Sequence, residues 1–253
     1  MSGAPGIAQC IGAFETPYDL CNQISASHCI LLKRYDGTLL DVLVHHKYHV
    51  PHCLIFYMLH DISLALAQMH KQGIWHADVK PENVFVACTN YRFDFVLGDM
   101  DLALIADSAG FVPAARLIRG TKEFAAPETW TPVSANPYVR IQTVVSRDVW
   151  SLGMVLLYML ASEFYFDALL TRELPWVLWD VSDERDRLYG EAVKDMNAYV
   201  ASCVNDDKKA AGWVDIIVPL LHPVSTRRPT AAQVHESTVK GYAIIQGCNT
   251  AQK

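Results

Sequence analysis

The chain has no excess of positive charge. Its 21 Lys and Arg residues face 27 Asp and Glu residues, for a net charge of −6. A broad nucleic-acid surface is therefore not expected. There is no C-x-x-C pair. The 7 cysteines, at 10, 21, 29, 53, 88, 203 and 248, are scattered and odd in number. That argues against a disulfide framework and reads as reduced, intracellular thiols. The opening MSGAPGIAQC has neither a basic start nor an apolar centre, so no signal peptide is expected. The longest apolar run, Val149 to Ala161, is interrupted by Ser151 and Gly153. It is short for a bilayer and reads as a buried helix, so no membrane segment is expected. Repeats, low-complexity tracts and Gly/Ser-rich linkers are absent.

What is present is core material. Hydrophobic residues make up 51% of the 253 and charged residues 19%, which suits one large domain or two small ones. Short apolar runs at 7–14 and 29–32 read as strands, the second of them buried. Thr38, before Leu39, Leu40, Val42 and Leu43, reads as the N-cap of a helix. Leu54 to Gln72 is the clearest helix, with apolar residues near helical spacing and Gly73 at its end. Val84 to Val86 and Phe93 to Leu97 read as two strands joined by a turn at 88–91. Residues 105–125 form a long irregular segment, of a length that is usually functional. From Asp148 the pattern is helical to about residue 240, with polar breaks near 183, 206 and 224. Strands are thus few and early, and helices dominate later.

The stretch Trp75-His76-Ala77-Asp78-Val79-Lys80-Pro81-Glu82-Asn83-Val84 organises the chain. Apolar residues bracket a carboxylate, an ammonium and an amide. A carboxylate can take a hydroxyl proton, a Lys can neutralise a phosphate and an Asn oxygen can bind a hard cation. That inventory suits phosphoryl transfer. The stretch resembles the catalytic loop of protein kinases, H-R-D-L-x-x-x-N. Four further motifs follow in that family's order: Asp99-Met100-Asp101 in place of D-F-G; Gly120-Thr121 through Ala126-Pro127-Glu128; Asp148-Val149-Trp150-Ser151-Leu152-Gly153; and Arg228-Pro229-Thr230.

The resemblance implies an α+β, protein-kinase-like fold, with a mostly helical large lobe over 36–253 and a remnant of a β-rich small lobe and hinge over 1–35. It implies a serine/threonine protein kinase that uses ATP and Mg²⁺ on a protein substrate. Asp78 would be the catalytic base and Lys80 would steady the transferring phosphoryl group. Asn83 and Asp99 would hold Mg²⁺ against the ATP phosphates. Leu32 would gate the adenine pocket, Lys33 to Tyr35 would be the hinge, and Phe85 would lie under the adenine ring. Thr121 would belong to the substrate platform. His76 is expected to be a packed structural histidine. Glu128 and Arg228 are expected to pair, tying the activation segment to a late helix.

The departures are specific. No G-x-G-x-x-G and no V-A-I-K-like run occurs in the sequence, so the expectation is either a fragment or a kinase-like protein that does without them. Ala77 stands where the family has Arg, and residues 109–120 contain no Ser, Thr or Tyr. Activity, if any, is then expected not to depend on phosphorylating that segment. Asp101 replaces a Gly whose backbone angles an Asp tolerates poorly. These changes leave a catalytically inactive pseudokinase, acting as a binding or scaffold module, as the alternative. One cluster, His45-His46-x-x-His49-x-x-His52-Cys53, lies outside the resemblance. Zinc is one reading; a solvated loop between two helices, broken by Pro51, is the expected one.

Overall fold

A computed structural model describes residues 4–15, 28–46, 50–88, 92–129, 137–160, 211–222 and 224–250. Its architecture is mixed α and β. Strands β1 (Cys10–Glu15) and β2 (His28–Leu32) form an antiparallel ribbon. Strand β3 (Gly37–Thr38) leads into helix α1 (Leu39–His45). Thr38 and Asp41 cap α1 reciprocally, each side chain bonding the other's backbone N–H, so the sequence-predicted N-cap is the observed one. Helix α2 (His52–Lys71) follows, then β4 (Ile74–Trp75), β5 (Val84–Cys88) and β6 (Phe93–Leu97).

The 105–125 segment is less irregular than its composition predicts. Strand β7 (Leu104–Ile105) pairs with β4, and β8 (Phe111–Pro113) pairs with β9 (Tyr138–Arg140). Backbone bonding to distant strands imposes this order, and no local apolar alternation announces it. Helices α3 (Ile141–Val144), α4 (Ser146–Leu160), α5 (Ala211–Leu220) and α6 (Ala231–Thr250) complete the described α-helices. Two of the three predicted polar breaks, near 183 and 206, lie outside the described residues; the third falls between α5 and α6.

The core sits where α2 packs against α4, α6 and the β3–β5–β6 sheet. Leu59, Ile62 and Leu66 of α2 meet Leu152, Val155 and Leu156 of α4 in one cluster of buried residues. Helix α4 is buried almost all round. The stretch Ile141–Leu160 is long and apolar enough to cross a membrane, but 78% of its most apolar window is packed inside the protein. Within it α4 is a core helix, as its apolar run predicts.

The ribbon corrects one expectation. Residues 29–32 read as a buried strand, yet Ile30 is 69% exposed, and Leu31 and Leu32 are also exposed. Among the described residues, each strand of the ribbon has only the other as its sheet neighbour. In the His-rich stretch, Pro51 does separate α1 from α2. His52 lies inside α2 and accepts a bond from the Trp213 indole at 3.0 Å. His49 lies outside the described residues, and no group of metal-ligating side chains occurs among those described.

Candidate active site

The backbone that carries Asp78 is held from a distance. Asp148, at the start of α4 and 1% exposed, accepts the His76 and Ala77 backbone N–H groups, each at 3.0 Å, and His70 Nε2 at 2.9 Å. A carboxylate buried this deeply is tolerated because it is fully bonded. Ala77 adopts φ 72, a region that L-residues rarely enter. The two Asp148 bonds fix the segment in that conformation.

His76 is fully buried. Its Nδ1 accepts the Asp78 backbone N–H at 3.2 Å, so Nε2 carries the proton and donates to the Gly98 carbonyl at 2.9 Å. The ring is a spacer between two loops, as expected of a structural histidine. Gly98 N–H donates to the Asn83 carbonyl at 2.9 Å. A Cβ on Gly98 would collide with the Phe85 ring. These contacts hold Asp99, at φ 57, beside Asn83.

Asp78, Lys80, Asn83 and Thr121 form one network. Asp78 Oδ1 accepts from the Thr121 hydroxyl at 2.7 Å and the Thr121 backbone N–H at 2.8 Å. Asp78 Oδ2 accepts from Asn83 Nδ2 at 3.0 Å and faces Lys80 Nζ at 2.9 Å. Lys80 Nζ also donates to the Thr121 hydroxyl at 2.9 Å. Burial pushes the Asp78 carboxyl up. Bonds from Thr121 and from the Lys80 ammonium outweigh it and hold the group below its ordinary value. Gly120 makes the approach possible: it has φ 100, and a Cβ there would strike the Ala77 carbonyl.

The oxygens left over suit a hard cation. Asn83 spends its amide N–H bonds on the Asp78 carbonyl and Oδ2, which leaves the lone pairs of Asn83 Oδ1 to ligate a cation. Among the described residues, the exposed Asp99 accepts only the Asp101 N–H, at a long 3.5 Å. One amide oxygen and one free carboxylate are ligands that Mg²⁺ takes. Asp101 is not among the residues with positive φ, so the strain expected of Asp at a Gly position does not arise.

The four residues assigned to adenine group separately. Tyr35 stacks on Phe85 with ring centroids 5.4 Å apart, and its hydroxyl oxygen accepts the Gln9 N–H at 3.0 Å. Lys33 N–H donates to the Gln9 carbonyl, so that amide is already committed. Leu32 is 41% exposed. Phe85 links this group to the first one through Gly98.

Sequence reasoning noted Asp148 only as the opening of a helix motif. The signal was an acid starting an otherwise apolar helix, which must find buried partners. It passed over Arg147 as well. Arg147 stacks on Trp75 at 5.4 Å and donates to the Leu117 carbonyl at 3.1 Å, tying the activation segment to α4.

Comparison with known proteins places the chain in a family. A family model described as "Protein kinase domain" matches residues 1–239. Smooth muscle myosin light chain kinase of Gallus gallus is 25% identical over 248 residues, covering 94% of this chain and 12% of its own. Serine/threonine-protein kinase D3 of Homo sapiens is 29% identical over 164 residues, covering 64% of this chain and 16% of its own. The MAP kinase-interacting serine/threonine-protein kinase of Caenorhabditis elegans is 31% identical over 179 residues, covering 67% and 24%. The chain thus spans less than a quarter of the length of these relatives. With the family model matching nearly its whole length, the chain belongs to the protein kinase family.

Proposed function

We propose that this chain carries a serine/threonine protein kinase site, which transfers the γ-phosphate of ATP to a Ser or Thr hydroxyl of a protein substrate. The observation that carries the reading is the Asp78–Lys80–Asn83–Thr121 network, in which an ionised carboxylate and an ammonium share one hydroxyl. Residues 36–253 would be the large lobe, and 1–35 what the chain holds of a small lobe and hinge.

The substrate hydroxyl would bond to Asp78, which orients one oxygen lone pair toward phosphorus. The new O–P bond forms as the bond from phosphorus to the β–γ bridging oxygen breaks, and ADP leaves. The hydroxyl proton passes to Asp78 and then to water. A carboxyl held below its ordinary value is a weak base, which suits orientation more than early proton removal. Lys80 would neutralise the phosphoryl oxygens in flight. Asn83 Oδ1 and Asp99 would hold Mg²⁺, which supplies charge neutralisation at the phosphates. Tyr35 and Phe85 would give the adenine an aromatic wall.

A second reading, a catalytically silent binding module, is favoured by the exposed β1–β2 ribbon and by the absence of a Gly-rich phosphate loop from the sequence. Phosphates left in contact with water are stabilised less than phosphates in a closed pocket, so weak Mg-ATP binding is expected of this chain by itself. Calorimetric titration with ATP, with and without Mg²⁺, separates the two readings. Binding that needs Mg²⁺ and is weakened by Asp99→Asn supports the kinase site. Mg²⁺-independent binding, unchanged in the variant, favours the silent module.

A further inference from the structure

Three cations flank the proposed acceptor site with no acid between them. From Ser108 to Lys122 the chain carries Arg116, Arg119 and Lys122 and neither Asp nor Glu, in a protein of net charge −6. Among the described residues none of the three forms an ion pair. Arg116 and Lys122 are exposed. Arg119 is anchored by a 2.8 Å bond from Nη1 to the Leu102 carbonyl, while its buried Nε has no partner. Burial, and then repulsion from the Arg116 guanidinium, hold Arg119 below the usual guanidinium range, with no carboxylate acting against them.

This triplet is tied to the chemistry by the chain itself. Arg119 lies two residues before Thr121 and Lys122 one after it, and Thr121 bonds directly to Asp78 and Lys80. A peptide whose hydroxyl reaches Asp78 would lie against Thr121, in the segment that carries the three cations. An unpaired buried donor and two mutually repelling guanidiniums are a standing cost that an anion removes.

We propose that Arg116, Arg119 and Lys122 form a recognition surface for acidic side chains, so that this site takes peptides whose acceptor Ser or Thr is flanked by Asp or Glu. The substrate class rests on the kinase reading; the binding preference does not require transfer to occur.

The test is therefore a binding measurement. Three labelled Ser peptides, with Glu, Ala or Lys on both sides of the serine, are titrated with the whole 253-residue chain by fluorescence anisotropy at low and high salt. The Glu peptide should bind about tenfold more tightly than the Lys peptide at low salt, and the gap should narrow as salt screens it. Arg116→Glu combined with Lys122→Glu changes only exposed side chains. It should abolish the preference or reverse it, with the thermal melt unchanged. Equal binding of the three peptides, tighter binding of the Lys peptide, or a preference that survives the double reversal would overturn the proposal. A clear acidic preference in a chain that transfers no phosphate would leave this surface standing and refute the kinase reading.

Discussion

Arg228 grips Glu128 with two parallel bonds, Nη1 to Oε1 at 2.6 Å and Nη2 to Oε2 at 2.8 Å. The Arg228 side chain is fully buried. Its Nε donates to the His222 carbonyl at 2.7 Å, and the guanidinium lies over the Trp150 ring. One side chain thus joins the end of the activation segment to α4 and to the loop before α6. Removing one partner of such a pair leaves a buried charge without compensation. Arg228→Ala should cost about 3–5 kcal/mol, measured by urea unfolding. A loss within error would mean that the pair is not structural.

Asp148 sets up a different kind of loss. Its carboxylate satisfies two buried backbone N–H groups, those of His76 and Ala77. Asp148→Ala should leave both unpaired, at about 1–3 kcal/mol each. It should also release the Ala77 conformation that positions Asp78. Stability would fall, and hydrogen exchange at His76 and Ala77 would accelerate more than in the α2 core. Unchanged exchange at these two amides would show that Asp148 does not hold the loop.

Acid should loosen the contact between α2 and α6. His235 on α6 approaches the His60 carbonyl through Nδ1 at 3.2 Å, and the two rings lie 4.8 Å apart. Burial lowers the His235 pKa; the His60 carbonyl opposes this, His60 repulsion adds to it, and Asp61 opposes it. The unfolded chain, at the ordinary value near 6.5, then binds the proton more readily than the folded one. This contribution is fully present above about pH 6.5 and is lost as pH falls toward the lowered folded value. The melting temperature should drop between pH 7 and pH 5.5, and less so in His235→Gln. Identical pH slopes for the two proteins would refute the assignment.

Local rules were legible where one stretch of chain decides the outcome. Thr38 and Asp41 lie within one turn, and the Pro51 break and the turn at Gly73 after α2 need no distant partner. The site motifs were legible because each is contiguous. What escaped depended on partners far along the chain. Asp148 acts on residues some 70 positions earlier, and Arg147 caps a carbonyl of the activation segment. The β7 and β8 pairings join segments with no alternation of their own. The exposure of β2 was missed for the same reason. An apolar run announces that it can be buried, whereas burial needs a neighbour, and the sequence of the strand does not contain one.

In the proposed reaction Asp78 orients a substrate hydroxyl for phosphoryl transfer. Its most direct test measures radiolabel from γ-labelled Mg-ATP into a Ser peptide, comparing the chain with Asp78→Asn. The variant should keep the fold and the nucleotide affinity, since Asn preserves the shape of the side chain. Its transfer rate should fall by about 10²–10⁴-fold, against slow but measurable transfer by the unaltered chain. Equal rates in the two proteins, or no transfer by either, would refute this role of Asp78.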